Sequence, residues 1–253
     1  MPTKRTKNWK HYFPTLQQPL SSPDDEGITN DPTWRKGDFE IISSDAVRFL
    51  VDSHRLEYSS AFHAAIHAHL GTAILTDAVI EKAPTVKAFL SLATHTLSIP
   101  PSCIGLRELL AFLTKWGATS LLPRFWSALE SAIRSRKVWA PWAFQTAAFG
   151  DNAALCDLVL RIEAHNLWAQ GIGTGTPGKS VWDPDHWPTR FLVTPPMYLR
   201  ALERAWESTV KMGGVESIAD VEGLAGEFAR FLAIAKSPSM ALHVHHHTEK
   251  DSG

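Results

Sequence analysis

Hydrophobic and polar residues alternate in the segment FEIISSDAVRFLVDS, residues 39–53. Its second half places Val47, Phe49 and Val51 two residues apart, which is the period of a half-buried strand. A polar cluster at residues 43–45 separates this run from the apolar run before it and is typical of a tight turn. The pattern therefore predicts a β-hairpin.

The spacing then changes to that of a helix. Between residues 56 and 70, Tyr58, Phe62 and Ile66 are four residues apart and share one helical face. The short, β-branched segment TAILTD that follows Gly71 predicts a third strand.

From Ala83 onward the pattern is that of successive amphipathic helices, separated by Gly, Pro or capping residues. The helical segments are APTVKAFLSLATH, GLRELLAFLTKWG, LLPRFWSALESAIRS, APWAFQTAAFG, NAALCDLVLRIEAHNLW, PPMYLRALERAWESTVKM and a last one from about Val215 to Lys236. A hairpin, a helix, a short strand and then only helices is an α+β order, with a small sheet and helical hairpins.

Composition limits the class of protein to which the chain can belong. The chain has 253 residues, of which 44% are hydrophobic and 20% charged, a globular balance. Residues 1–33 are rich in Pro, Ser, Asp and Gln and predict a disordered arm. A net charge of −1 argues against nucleic-acid binding, and no apolar run approaches the ~20 residues that span a bilayer. Cys103 and Cys156 both lie in apolar runs, which favours reduced, buried thiols and an intracellular protein, in cytoplasm or nucleus.

One segment matches the sequence pattern of a phosphate-binding loop. In GIGTGTPGKS, residues 171–180, the fixed positions of the pattern G-x-x-x-x-G-K-[ST] are filled by Gly173, Gly178, Lys179 and Ser180. Such a loop needs a buried strand before it and a helix after it. Here the preceding segment has a helical period and prolines follow the motif. We therefore expect an interhelical loop, and keep a nucleotide-binding hydrolase as the alternative.

The spacing of two histidines raises the question of a metal site. His63 and His67 are four residues apart on the first predicted helix, where one metal ion could contact both. The pattern offers no third ligand, so a helix surface or a partner-facing patch is preferred and no metal site is predicted. The His-rich tail, His243 to His247, is expected to bind metal only adventitiously. Since no nucleophile motif is present either, the chain is predicted not to be an enzyme and to need no cofactor.

The first predicted strand and helix resemble a known family. The segment SDAVRFLVDSHRLEYSSAFHAAI is similar to the opening of a BTB/POZ domain, with matches at Asp45, Val47, Phe49, Val51, Leu56, Ser60 and Phe62. ILTDAVIEKAPTVKAFLSLATH and LRELLAFLTKWGATSLLPRFWSALE resemble the elements that follow in that family. Across residues 34–210 the chain looks like the BTB proteins that are abundant in mushroom-forming fungi.

This resemblance implies a domain plan and a function. It implies a BTB/POZ-like domain at 34–135, a helical extension at 136–212, and a C-terminal helix with a polar tail at 213–253. BTB domains are protein–protein interaction modules, so the implied partners are a second copy of the chain, as a homodimer, and a ubiquitin-ligase scaffold or another regulatory complex. A monomeric scaffold that has lost dimerisation is the alternative. The candidate interface residues are Trp34, Phe39, Phe62, His63 and Ile66.

Overall fold

The computed structural model describes residues 27–96, 105–163, 182–187, 189–211 and 218–237. Within these ranges the fold is α+β, as predicted, with four strands in one mixed sheet and eight α-helices. The strands are β1 Thr29–Arg35, β2 Phe39–Ile42, β3 Val47–Val51 and β4 Thr72–Ile74. The helices are α1 Ser60–His67, α2 Ala83–Ala93, α3 Leu106–Lys115, α4 Leu122–Arg134, α5 Ala140–Phe149, α6 Ala153–Glu163, α7 Pro196–Lys211 and α8 Ile218–Lys236.

The predicted hairpin forms the centre of the sheet, whose strand order is β1-β3-β2-β4. β2 and β3 are antiparallel, with Ile41 opposite Phe49. Their turn is closed by Ser43, whose hydroxyl donates to Asp45 at 2.7 Å and whose amide donates to the Val47 carbonyl at 2.9 Å. The predicted third strand is β4, which pairs parallel to β2. The hairpin and this strand are therefore confirmed.

One strand was not predicted. β1 runs parallel to β3, and Thr29 is the register partner of Val47. It begins inside the segment assigned to a disordered arm, of which residues 1–26 lie outside the described part. The buried carboxylate of Asp31 accepts hydrogen bonds from the amides of Thr33 and Trp34 and faces Lys87 of α2 at 3.5 Å. Because residues 29–33 belong to β1 and make these contacts, the predicted disordered arm does not include them.

The chain divides into two compact units, with a boundary inside α4 after Ala128. In the first unit, a stack of aromatic rings lies in the core and contacts Phe39 of the sheet. Phe62 lies parallel to Trp116 at 4.5 Å between ring centroids and contacts Phe89 at 5.8 Å. Phe89 in turn contacts Phe112 at 5.2 Å. Helices α1, α2 and α3 are joined through these rings.

The core of the second unit surrounds α5. Eight of its ten residues are buried, which agrees with a segment that is apolar on all sides. Phe144 contacts Trp182, Phe191 and Phe228 at 5.4–5.8 Å between centroids. No helix in the described ranges is long and apolar enough to cross a membrane.

Candidate interaction surface

Helix α1 carries most of the predicted interface residues, and its start is fixed by two hydrogen bonds of Ser59. The Ser59 hydroxyl accepts the amide of Phe62 at 3.2 Å and donates to the carbonyl of Trp116. The helix ends where His69 takes a left-handed conformation, with φ at 57°. Helix α1 is therefore shorter than the predicted range 56–70, and a separate 3₁₀ turn, Ser53–Leu56, precedes it.

Two of the predicted interface residues belong to the core. Phe62 is fully buried and Phe39 nearly so, and their rings meet edge to face at 6.3 Å. Phe62 and Ile66 are four residues apart, but Phe62 points into the core and Ile66 lies at the boundary between the buried and exposed faces of α1. Phe39 and Phe62 therefore cannot contact a partner directly, and a charge at either position would test folding instead of association.

The outer face of α1 is formed by the other two predicted residues of this helix. His63 is exposed and Ile66 half-buried, and His67 is exposed beside them. The two Nε2 atoms of His63 and His67 are 3.0 Å apart, and the ring centroids are 4.2 Å apart. This face combines one apolar side chain with two imidazoles on a short, firmly anchored helix.

Trp34, the fifth predicted residue, lies on β1 and is half-buried. The Arg55 guanidinium is 6.0 Å from the centroid of its indole ring, within the range of a cation–π contact. Its indole N–H is buried and has no hydrogen-bond partner within the described part of the chain. A buried donor without a partner costs about 1–3 kcal/mol, so this N–H would gain from an acceptor.

The structure adds one residue that the sequence analysis missed. Between β4 and α2, the carboxylate of Asp77 accepts the amides of Val79 and Ile80 at 2.9 and 3.2 Å and closes a turn. On this turn Val79 is 61% exposed. The available signal was the apolar pair Val79-Ile80, which lies between the predicted strand TAILTD and the helix predicted from Ala83.

A buried carboxylate anchors that turn. Glu81 is almost fully buried and accepts the amides of Thr76 and Asp77 at 2.8 and 2.7 Å. Its other oxygen binds the Lys115 ammonium and the Trp116 indole N–H, both at 2.8 Å. Burial by itself would raise the pKa of Glu81, but these hydrogen bonds outweigh it and hold the pKa below its usual value. The Asp77 turn is therefore fixed to α3 by a charged carboxylate.

In the second unit, two adjacent apolar residues are exposed on the 3₁₀ turn Thr189–Val193. Leu192 is 54% and Val193 52% exposed, whereas Phe191 points into the core. The hydroxyl of Thr194 donates to the carbonyl of Phe191 and closes the turn. This is a second place where ordered backbone presents apolar side chains.

A polar cluster in the second unit has a structural role. The Tyr198 hydroxyl and the Lys236 ammonium both donate to one carboxylate oxygen of Asp151 at 2.6 Å, and Lys236 is 3.1 Å from the Tyr198 oxygen. The pKa of Tyr198 is raised mainly by burial and, to a smaller extent, by the hydrogen bond to Asp151. Tyr198 therefore stays protonated, and the cluster ties α7 and α8 to the turn between α5 and α6.

Several sequence predictions concern residues that lie outside the described part of the chain. Gly173, Gly178, Lys179 and Ser180 lie outside it, as do Cys103 and the His-rich tail. The described elements nearest the glycine-rich motif are helix α6 before it and the 3₁₀ turn Pro184–His186 after it.

Cys156 is buried, as predicted. Among the described residues, no three or more His, Cys, Asp or Glu side chains are placed to hold a metal ion. The expectation that the chain is not an enzyme stays a prediction.

Comparison with known proteins found no matching family model, no matching curated protein and no matching solved structure.

Proposed function

We propose that this chain is a protein–protein interaction module of the BTB/POZ type that self-associates through its first unit. The observation that carries the proposal is Val79, a large apolar side chain that is 61% exposed on a turn locked by Asp77 and Glu81. The α+β element order supports it, since a small sheet followed by helices fits the resemblance in the sequence.

An ordered apolar turn suits binding for an energetic reason. Association costs free energy when loops and side chains must be immobilised, and a turn that is already fixed avoids part of this cost. The outer face of α1, with His63 and Ile66, supplies a second ordered surface in the same unit. Trp34 fits the same role, because part of its ring is accessible and aromatic residues are common at the centre of interfaces.

The proposed partners are proteins. With 25 basic and 26 acidic residues, the chain has no overall charge that would draw it to nucleic acid or to an anionic membrane. A second copy is the first partner, and the dimer would act as an adaptor in a ubiquitin-ligase or other regulatory complex. The proposed compartment is the cytoplasm or the nucleus.

Variants in the first unit test this proposal by sedimentation velocity of the full chain. Val79→Lys and Ile66→Lys place a charge on the two proposed surfaces, where an unpaired buried charge opposes association. We expect a dimer for the unchanged chain and at least a tenfold weaker dimer for one or both variants. Thermal unfolding of each variant checks that the fold is retained.

Leu192→Lys is the matched control, since it adds the same charge at a similarly exposed apolar position in the second unit. We expect it to leave the dimer unchanged. A dimer that only Leu192→Lys weakens would contradict the assignment to the first unit. A monomer at all concentrations would contradict self-association and favour the monomeric scaffold.

A further inference from the structure

The exposed imidazoles of α1 have the geometry of a chelating pair. His63 and His67 are one helical turn apart, and their Nε2 atoms are separated by 3.0 Å. Two imidazole nitrogens at ~2.1 Å from one ion and at the right angle of tetragonal Cu²⁺ or Ni²⁺ coordination lie about 3.0 Å apart. In the metal-free chain this distance is a hydrogen bond between the two rings. Small ring rotations, with the donor ring moving its proton to Nδ1, would replace it by two bonds to one ion without moving the helix.

We propose that His63 and His67 form a two-imidazole site for a divalent transition metal of the Cu²⁺, Ni²⁺ and Zn²⁺ class. Imidazole nitrogen suits these ions, whereas Mg²⁺ and Ca²⁺ prefer oxygen ligands. The remaining coordination positions are open to water or to another ligand, because no third protein ligand joins the pair among the described residues.

The rigidity of α1 supports this site. Ala61, Phe62 and Ala65 bury its inner face, and the Ser59 cap fixes its first turn. The helix therefore holds the two rings on one face before any ion arrives, and the unfolded chain does not. The inference goes beyond the proposed function and does not depend on it, because one chain supplies both ligands.

The test is the melting temperature of the full chain with NiCl₂ added, with MgCl₂ as the control for ionic strength. The His-rich tail complicates simple binding assays, since His243, His245, His246 and His247 also bind nickel. Melting avoids this problem, because an ion stabilises a fold only if it binds the folded chain more tightly than the unfolded one. We expect Ni²⁺ at saturating concentration to raise the melting temperature by about 3–6 °C, and Mg²⁺ to leave it unchanged.

Three variants locate the effect. His67→Asn should abolish the nickel-induced rise while leaving the metal-free melting temperature close to that of the unchanged chain. His69→Asn is the matched control, because it removes a neighbouring exposed histidine and asparagine tolerates the left-handed conformation there. His69→Asn should keep the rise, as should a chain with asparagine at the four tail histidines.

Three results would overturn the proposal. They are no rise in the unchanged chain, a rise that survives His67→Asn, and a rise that disappears when only the tail histidines are replaced. The last result would place the nickel effect in the tail.

Discussion

Glu81 is the residue on which the Asp77 turn depends. Its buried carboxylate joins Thr76, Asp77, Lys115 and Trp116 in one network. Glu81→Gln would turn amide hydrogens toward groups that are themselves donors and leave Lys115 without its closest partner. We expect a loss of about 2–3 kcal/mol in the free energy of unfolding, measured by urea denaturation at pH 7.

The control for this substitution is Glu130→Gln. Glu130 pairs with Arg134 on the exposed surface of α4, and an exposed pair contributes about 0.5 kcal/mol or less. Equal effects of the two substitutions would contradict the central role given to Glu81.

The same network predicts a dependence on pH. Because the pKa of Glu81 in the folded chain is below its usual value of 4.5, its charge stabilises the fold fully above that value. The stabilisation is lost as the pH falls below 4.5 and through the lower pKa of the folded state. The difference in unfolding free energy between the unchanged chain and Glu81→Gln should therefore be largest near pH 7 and shrink as the pH falls below 4.5. A difference that stays constant would contradict the assignment.

Cys156 is predicted to be chemically inert in the folded chain. Its side chain is fully buried, and burial raises the pKa of the thiol well above its usual value. In a Cys103→Ser background, which leaves Cys156 as the only thiol, we expect no reaction with a disulfide reagent until the chain is unfolded. Rapid stoichiometric labelling of the folded chain would contradict this.

At the scale of elements, several helices end in a left-handed residue that is not glycine. After α2, His95 has φ at 59°, and the amide of Thr96 bonds back to the Ser91 carbonyl at 2.8 Å. A side chain in this conformation costs about 1 kcal/mol, and glycine avoids it. We expect the exposed His95→Gly to raise the free energy of unfolding by about 0.5 kcal/mol, the gain being reduced by the greater freedom of glycine in the unfolded chain.

Gly117, after α3, gives the opposite case. Its φ is +63°, and an added Cβ would overlap the Ser60 hydroxyl at the start of α1. Gly117→Ala should therefore lower the free energy of unfolding by about 1–2 kcal/mol, in the same thermal or urea experiment. If both substitutions changed stability in the same direction, the helix-end argument would be wrong.

The elements that were predictable are those with a local pattern. The β2–β3 hairpin follows from alternation and a polar turn, and α2, α3 and α7 follow from helical spacing with Gly or Pro at their ends. β1 lacked such a signal, because it is mostly exposed and contains Pro32. Its position depends on pairing with β3 and on the ion pair of Asp31 with Lys87, which are contacts between residues far apart in the sequence.

At the scale of the whole molecule, the α+β class could be predicted because the order of elements determines it. The candidate surface was predictable only in part. Helical spacing placed Phe62, His63 and Ile66 on α1, but it does not say which face turns to the core, and Phe62 proved to be buried. The apolar pair Val79-Ile80 was visible in the sequence, but the exposure of Val79 depends on hydrogen bonds made by Asp77.

The measurement that tests the central claim most directly is the solution mass of the full chain, by light scattering over a range of concentrations. Self-association predicts a mass that approaches twice the 28.0 kDa of one chain as the concentration rises. A mass of 28.0 kDa at every concentration would contradict the proposed self-associating module.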